Sequence, residues 1–337
     1  MSNELTVNEK APLCGAFLTR PTGFEPVTFG SVDRRSIQLS YGRPACKGSV
    51  SMRLALVVHP SRPVTAPLET LERWAGANGL DVVQIPTDGG SPRELAPAGE
   101  LRDGDLVVTL GGDGTVLSGL RAAAPVDVPV LGVACGSLGA LTATQADRLE
   151  EALERFRADD WTPRKLPALA IRPSDSPDAW AVNDFVIVRH GAGQAMLSLF
   201  VDDELYVRLA GDGLIIATPL GSSAYSMAAG GPLIAPSTPA VVCTPVAMHG
   251  GSAPPLIVPA GAEARVEVHE SFAGFETQID GHDSPMQDLE YRVSLEQDKV
   301  TLVAFDDDEH LLSGLRERGL ITDSPRVLAR DKRPKPE

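Results

Sequence analysis

Asp105-Leu106-Val107-Val108-Thr109-Leu110-Gly111-Gly112-Asp113-Gly114-Thr115 decides how the rest of this 337-residue chain is read. An apolar run ends in a turn of three glycines around one acid, and an apolar-periodic segment, 116–123, follows. A short run this apolar predicts a strand covered on both faces, as in a parallel α/β sheet. The glycines allow close backbone approach, and a strand–turn–helix junction aims free N–H groups at one point, which suits phosphate. An acid at the centre repels phosphate, so it needs a second purpose. It has one if the carboxylate accepts a proton from a hydroxyl or holds Mg²⁺. Asp113 is therefore the candidate catalytic residue, and Gly111, Gly112, Gly114 and Thr115 are candidate phosphate-binding residues. The plainer reading is a glycine-rich turn with Asp113 as a helix cap. Neither the P-loop pattern nor the dinucleotide pattern Gly-x-Gly-x-x-Gly is present here.

Outward from this stretch, strands and helices alternate. Strands are predicted at 53–58, 80–85, 105–110 and 129–133. Helices are predicted at 66–78, with Leu68, Leu71 and Trp74 on one face, and at 145–158, with Leu149, Leu153 and Phe156 inward. That is an α/β domain over 52–147. The period then changes to two, and 166–172, 179–189, 195–201, 204–209, 263–270, 288–295 and 298–305 read as strands, with a hairpin at Val201-Asp202-Asp203-Glu204-Leu205. The second domain, 148–300, is expected to be an all-β sandwich. Within it, 214–262 has no Asp, Glu, Lys or Arg in 49 positions but eight prolines and six glycines, and reads as a packed region of irregular backbone. Residues 301–322 read as a strand and a helix returning to the first domain, with Leu311, Leu312 and Leu315 of a 307–319 helix buried. The tail 323–337 is expected to be disordered.

Formal net charge is −15. Residues 1–51 carry six bases and four acids, and 323–337 five bases and three acids, so the middle of the chain stands at −19. Such a body repels a phosphate backbone at long range, which argues against general nucleic-acid binding. No run of 18 apolar residues predicts a membrane helix, and the four cysteines show no metal or disulfide spacing, so a cytoplasmic protein is expected. Residues 1–51 lack an amphipathic period. Their stretch Pro21-Thr22-Gly23-Phe24-Glu25-Pro26-Val27 through Arg43 resembles the conceptual translation of a transfer-RNA gene. They are expected to be a spurious or disordered extension, with the start at or near Met52.

A second block carries as much information as the first. Thr218-Pro219-Leu220-Gly221-Ser222-Ser223 is a hydroxyl-rich turn in which Ser222 could cap a helix over 224–229, and Tyr225 could offer an aromatic face to a base. A capped core helix with a buried tyrosine, and a turn role for Asp212, are the plainer alternatives. The pentapeptide Gly111–Thr115 resembles a motif shared by NAD kinases, lipid kinases and, more loosely, phosphofructokinases. Gly211-Asp212-Gly213 through Ser226, followed by Ala229-Gly230-Gly231-Pro232, closely resembles the NAD kinase signature, and the likeness extends over about 52–321.

The resemblance implies an NAD kinase/diacylglycerol kinase-like α/β domain followed by a β-sandwich. It implies transfer of a phosphoryl group from ATP, or polyphosphate, to the 2′-hydroxyl of the adenosine ribose of NAD, with Mg²⁺ or another divalent metal. It further implies NAD-binding roles for Asn183, Asp184, Asp212, Thr218, Ser222, Ser223, Ala224 and Tyr225, and a homo-oligomer, dimer or tetramer. No protein ligand to the metal is assigned. The chain departs from the family at Asp184, one methylene shorter than the usual Glu, at Ala134 in place of Asn, and at Ala140 in place of Phe. Cys135, His249 and His282 read as structural residues. A lipid or other small-molecule kinase and a non-catalytic NAD-binding paralogue are the rival readings.

Overall fold

A computed structural model of the chain describes residues 52–86, 93–269, 274–305, 315–316 and 319–331. The extension 1–51 lies outside these residues. So does most of the predicted 307–319 helix, of which Leu315 is described and buried.

The first half is a parallel sheet. β1 (Leu54–Val58), β2 (Val82–Gln84), β3 (Leu106–Gly111) and β4 (Pro129–Ala134) are ordered β2-β1-β3-β4. Alternation across the sheet separates two cores. Leu54, Leu56, Leu106, Val108 and Leu110 meet Leu71 and Trp74 of α1 (Thr65–Ala77) and Leu149 and Leu153 of α3 (Leu149–Arg157). Ala55, Val57 and Val107 meet Val116, Leu117 and Leu120 of α2 (Asp113–Ala123). Burying each large apolar side chain contributes about 1.5–3 kcal/mol, which is why both faces of so short a strand must be apolar. α2 starts at Asp113, three residues earlier than the sequence reading placed it, because Asp113, Gly114 and Thr115 already take helical geometry after an extended Gly112.

The second half is a sandwich. One layer is antiparallel, in the order β13-β12-β11-β8-β15-β16: β8 is Asp184–Arg189, β11 Gly213–Ala217, β12 Ala240–Val246, β13 Leu256–Pro259, β15 Phe275–Ile279 and β16 His282–Ser284. The facing layer contains β6 (Thr162–Pro173), β9 (Ala195–Val201), β10 (Glu204–Gly211), β14 (Ala264–His269) and β17 (Glu290–Ala304). Leu169, Phe185, Leu197, Ile216, Val266 and Tyr291 fill the space between. The predicted hairpin turns at Asp202 and Asp203, whose φ of 48° and 65° match the twist that two-residue hairpins need.

Four expectations are corrected here. The 179–189 strand is two, β7 (Ala179–Ala181) and β8, broken at Val182-Asn183. The predicted 288–295 and 298–305 strands are one, β17, with a register shift between Glu296 and Val300. The uncharged stretch 214–262 carries β11, β12 and β13. Both faces of β11 are covered, by Leu214 and Ile216 in the sandwich core and by Ile215 and Ala217 against Ile234, so no polar alternation marks it as a strand. Finally, Pro325–Asp331 is an exposed helix where disorder was expected.

β17 joins the halves. Tyr291 and Val293 pair antiparallel with β14, Thr301 and Leu302 pair in parallel with β4, and β6 runs antiparallel beside β17 in both regions. With β7 and the short β5 (Thr144–Gln145, parallel to β4), the parallel strands and one layer of the sandwich form a single eleven-stranded sheet.

Candidate active site

Strand order alone points to the site. From β1 the chain moves to one side, to β2, and from β3 it moves to the other, to β4. The carboxyl ends of β1 and β3 therefore diverge into a crevice, where open α/β sheets bind ligands. The loop 59–64 follows β1, the glycine turn follows β3, and the loop 135–141 follows β4. Backbone bonds fasten them: the His59 N–H donates to Leu110 O at 3.0 Å and the Cys135 N–H to Gly111 O at 2.7 Å.

Asp113 sits at the start of α2, where an acid complements the helix dipole. Its two carboxylate oxygens accept the N–H groups of Ala140 and Leu141, each at 3.0 Å. A Cβ on Gly139 would overlap the Asp113 carboxylate, so a larger residue there would displace Asp113 from its two amides. Asp113 therefore pins the 136–141 loop across the glycine turn. Each oxygen keeps a second lone pair for a ligand.

The second block assembles against the break between β7 and β8. Thr218 donates its hydroxyl to Val182 O at 2.7 Å and its N–H to Asn183 O at 2.9 Å, and its Oγ1 accepts from the Gly221 N–H at 3.1 Å. A Cβ on Gly221 would overlap the Asn183 carbonyl, so the turn lies directly on the Asn183 backbone. Leu220 and Val182 join the apolar cluster that holds Val116, Leu117 and Leu120 of α2. The two motif blocks thus meet on one helix.

Ser222 does not cap a helix. It lies in a 3-10 turn, Gly221–Ser223, where its hydroxyl donates to Pro219 O at 2.6 Å and accepts from the Ile234 N–H at 2.9 Å. The turn winds before the helix starts, and α4 is only Tyr225–Ala228. Ser223 donates to Leu220 O at 2.9 Å. Ala224 is exposed, and Tyr225 presents an open ring at 42% exposure rather than a buried one.

Asn183 stands in the strand break and Asp184 is the first residue of β8, rather than both lying inside one strand. Asn183 Oδ1 is buried with no hydrogen-bond partner, and it is the buried side-chain polar atom left orphaned among the described residues. Asp184 is 4% exposed. Burial, helped by the charge of Asp280, pushes its carboxyl up to about 7. Buried acceptors in this state are costly until donors reach them. Asp212 is elsewhere: it precedes β11 while Thr218 follows it, a separation on the order of 20 Å along the strand, and it is paired with Arg189 at 2.6 Å.

Three side chains were given no role by the sequence reading, although Asp280-Gly281 lies within the family resemblance. Arg62, exposed in the loop after β1, holds its guanidinium over the glycine turn, with Nη1 3.2 Å from where a Cβ on Gly112 or Gly136 would lie. With Arg93 and burial it pulls the His59 pKa down, burial being the larger cause. The signal was available, since Arg62 follows the strand that borders the crevice. Arg121 and Asp280 form a buried pair at 3.2 Å. Asp280 and Gly281, with φ of 49° and 77°, form a two-residue turn between β15 and β16, which aims the acid at β8. A separate cavity of about 360 Å³ lies beyond the glycine turn, bordered by Ser118, Arg121, Trp180, Ile279, His282 and Asp283. The His249 N–H donates to Ala210 O at 2.8 Å, and its ring Nδ1 meets the Gln194 side-chain amide. Burial raises the Cys135 thiol pKa, which disfavours a nucleophile. Among the described residues no three His, Cys, Asp or Glu side chains converge as metal ligands.

Known proteins place this geometry. Residues 55–161 match the ATP-NAD kinase N-terminal domain and residues 182–305 the ATP-NAD kinase C-terminal domain. An NAD kinase of Heliobacterium modesticaldum is 40% identical over 196 residues, covering 55% of this chain and 69% of that protein. An NAD kinase of Clostridium perfringens is 34% identical over 212 residues, covering 61% of this chain and 77% of that protein. Among solved structures, a yeast NADH kinase complexed with NADH aligns at a TM-score of 0.67 and 24% identity, over 82% of this chain and 89% of that one. An Archaeoglobus fulgidus NAD kinase in complex with ATP aligns at 0.59 and 23% identity, over 78% and 98%. Both halves of the chain, the glycine turn in one and the Thr218 turn in the other, belong to the NAD kinase family.

Proposed function

We propose that this chain transfers a phosphoryl group from ATP to the 2′-hydroxyl of the adenosine ribose of NAD, giving NADP. The observation that carries the reading is the orphaned acceptor Asn183 Oδ1 next to the buried carboxyl of Asp184, beside the turn that packs on α2. Adjacent sugar hydroxyls are the donors such a pair lacks. The α/β domain, 52–147, holds the ATP phosphates on the N–H groups of Gly112 and Gly114, while the Thr115 N–H closes the turn onto Gly112 O at 2.9 Å and Arg62 lies above it. The sandwich domain, 148–300, holds the dinucleotide through Asn183, Asp184 and the turn Thr218–Tyr225, with the base on the exposed ring of Tyr225. Asp113 uses its free lone pair to orient the 2′-hydroxyl and takes its proton as the new oxygen–phosphorus bond forms and the bond to ADP breaks.

The protein offers no ligand cluster to a divalent cation among the described residues, and the Asp113 oxygens are held by amides. A divalent metal accompanying ATP would supply charge neutralisation at the phosphates, and no step above is assigned to it. Self-association and a cytoplasmic setting belong to the same reading and rest on resemblance; no described helix is long and apolar enough to cross a membrane. The test is direct. The chain, NAD and MgATP are incubated and NADP is read with a dehydrogenase strictly dependent on NADP. Formation of NADP supports the reading, and binding of NAD without turnover overturns it. Replacing ATP with polyphosphate in the same assay identifies the donor.

A further inference from the structure

A continuous run of polar contacts links the glycine turn, through the body of α2, to the strand break on which the second block packs. Gly114 O, in the glycine turn, accepts the Ser118 hydroxyl at 3.2 Å. Ser118 Oγ in turn accepts Arg121 Nη2 at 3.3 Å, and Arg121 Nη1 donates to Asp280 Oδ2 at 3.2 Å. Asp280 then grips three successive amides at the strand break: Val182 N–H on Oδ2 at 3.1 Å, and Asn183 and Asp184 N–H on Oδ1 at 2.6 and 3.1 Å. The Asp280 N–H donates back to Asp184 O at 2.9 Å. The Arg121 side chain is 10% exposed and that of Asp280 fully buried. A surface ion pair this far from the protein's edge charges would stabilise little, but a buried one with every oxygen satisfied fixes geometry.

We propose that Arg121 is a positioning residue for phosphoryl transfer: acting through Ser118 and Asp280, it sets the distance between the glycine turn that holds the donor and the Asn183-Asp184 pair that holds the acceptor. The inference rests on the kinase reading above. It assigns Arg121 no contact with either substrate. Each substrate should therefore still bind when Arg121 is lost, but the two should no longer meet correctly. Displacements of about 1 Å between reacting groups cost up to ~100-fold in rate.

The experiment compares steady-state kinetics, calorimetric NAD binding and melting of the full chain with its Arg121→Gln, Arg121→Lys and Ser118→Ala variants. Arg121→Gln is expected to lose at least ~10-fold in kcat, with KM for NAD and for ATP each within about threefold and one NAD still bound per chain. Arg121→Lys should recover part of the loss, because it returns the cation to Asp280 but reaches one partner only. Ser118→Ala, which removes one hydroxyl and threatens the fold least, should lose several-fold in kcat alone. A folded Arg121→Gln with wild-type kcat overturns the proposal. If that variant does not fold, wild-type kcat in both Arg121→Lys and Ser118→Ala overturns it. A loss appearing only in KM for NAD also overturns it, since Arg121 would then merely shape the NAD pocket. Failure of the kinase reading looks different: the unmodified chain itself would make no NADP.

Discussion

Asp184 is the residue on which proton and ligand compete. Its carboxyl is pushed up to about 7 by burial and by Asp280, so the native chain holds a proton that the unfolded chain, with an ordinary carboxylate near 4, has released. Native stability at this group is therefore greatest below about pH 4, declines as the pH rises, and is fully lost above about 7. Hydroxyl donors reverse the preference, because they favour the anion. KM for NAD is expected to rise several-fold between pH 8 and pH 6, and Asp184→Asn should flatten that slope. The ligand-free Asp184→Asn chain should also melt higher than wild type at pH 8 but not at pH 5. A flat wild-type profile would remove Asp184 from the set of ribose acceptors. Asp113 makes a different prediction. Asn in its place offers one acceptor to two amides, so one of Ala140 and Leu141 faces a donor. Asp113→Asn should lose at least ~100-fold in kcat and speed amide exchange at Ala140 and Leu141. Loss of rate with unchanged exchange would separate proton transfer from loop pinning.

At the scale of elements, packing of the Thr218 turn on the strand break makes Gly221 a sharp probe. A Cβ there meets Asn183 backbone that cannot yield, so Gly221→Ala should destabilise the chain by about 1–3 kcal/mol. It should also raise KM for NAD at least ~10-fold while leaving that for ATP nearly unchanged. Equal effects on both constants would place the turn against the donor as well. These elements differ in how openly the sequence declares them. β3, the glycine turn and α2 are written locally, in an apolar run followed by glycines, and only the helix start moved. The Thr218 turn was legible through its likeness to a family signature, although Ser222 turned out to brace a 3-10 turn instead of capping a helix. β11 and β12 escaped because strands covered on both faces lose the alternation that marks a strand. Arg62 and the Asp280 grip escaped for a different reason. One depends on which strands neighbour β1, the other on β15 pairing with a strand some ninety residues earlier, and neither fact is local.

For the whole molecule, the consequence of one shared sheet is cooperativity. Trp74 packs in the α/β core and Phe185 in the sandwich core, so a chain keeping Trp74 alone and one whose single tryptophan is Phe185→Trp can report on each half. Both reporters should give one denaturant midpoint, because β17 cannot leave one half without disturbing the other. Two midpoints would show that the halves unfold independently. The same strand also limits how the protein can work. Many kinases admit substrate by swinging two lobes on a flexible tether. Here the route between lobes is a splint, bonded to β6 from Tyr291↔Pro173 to Ala304↔Thr162, and swinging would shear that seam. Traffic through the crevice then falls to exposed side chains on its rim, Arg62 and Tyr225, while the frame stays still.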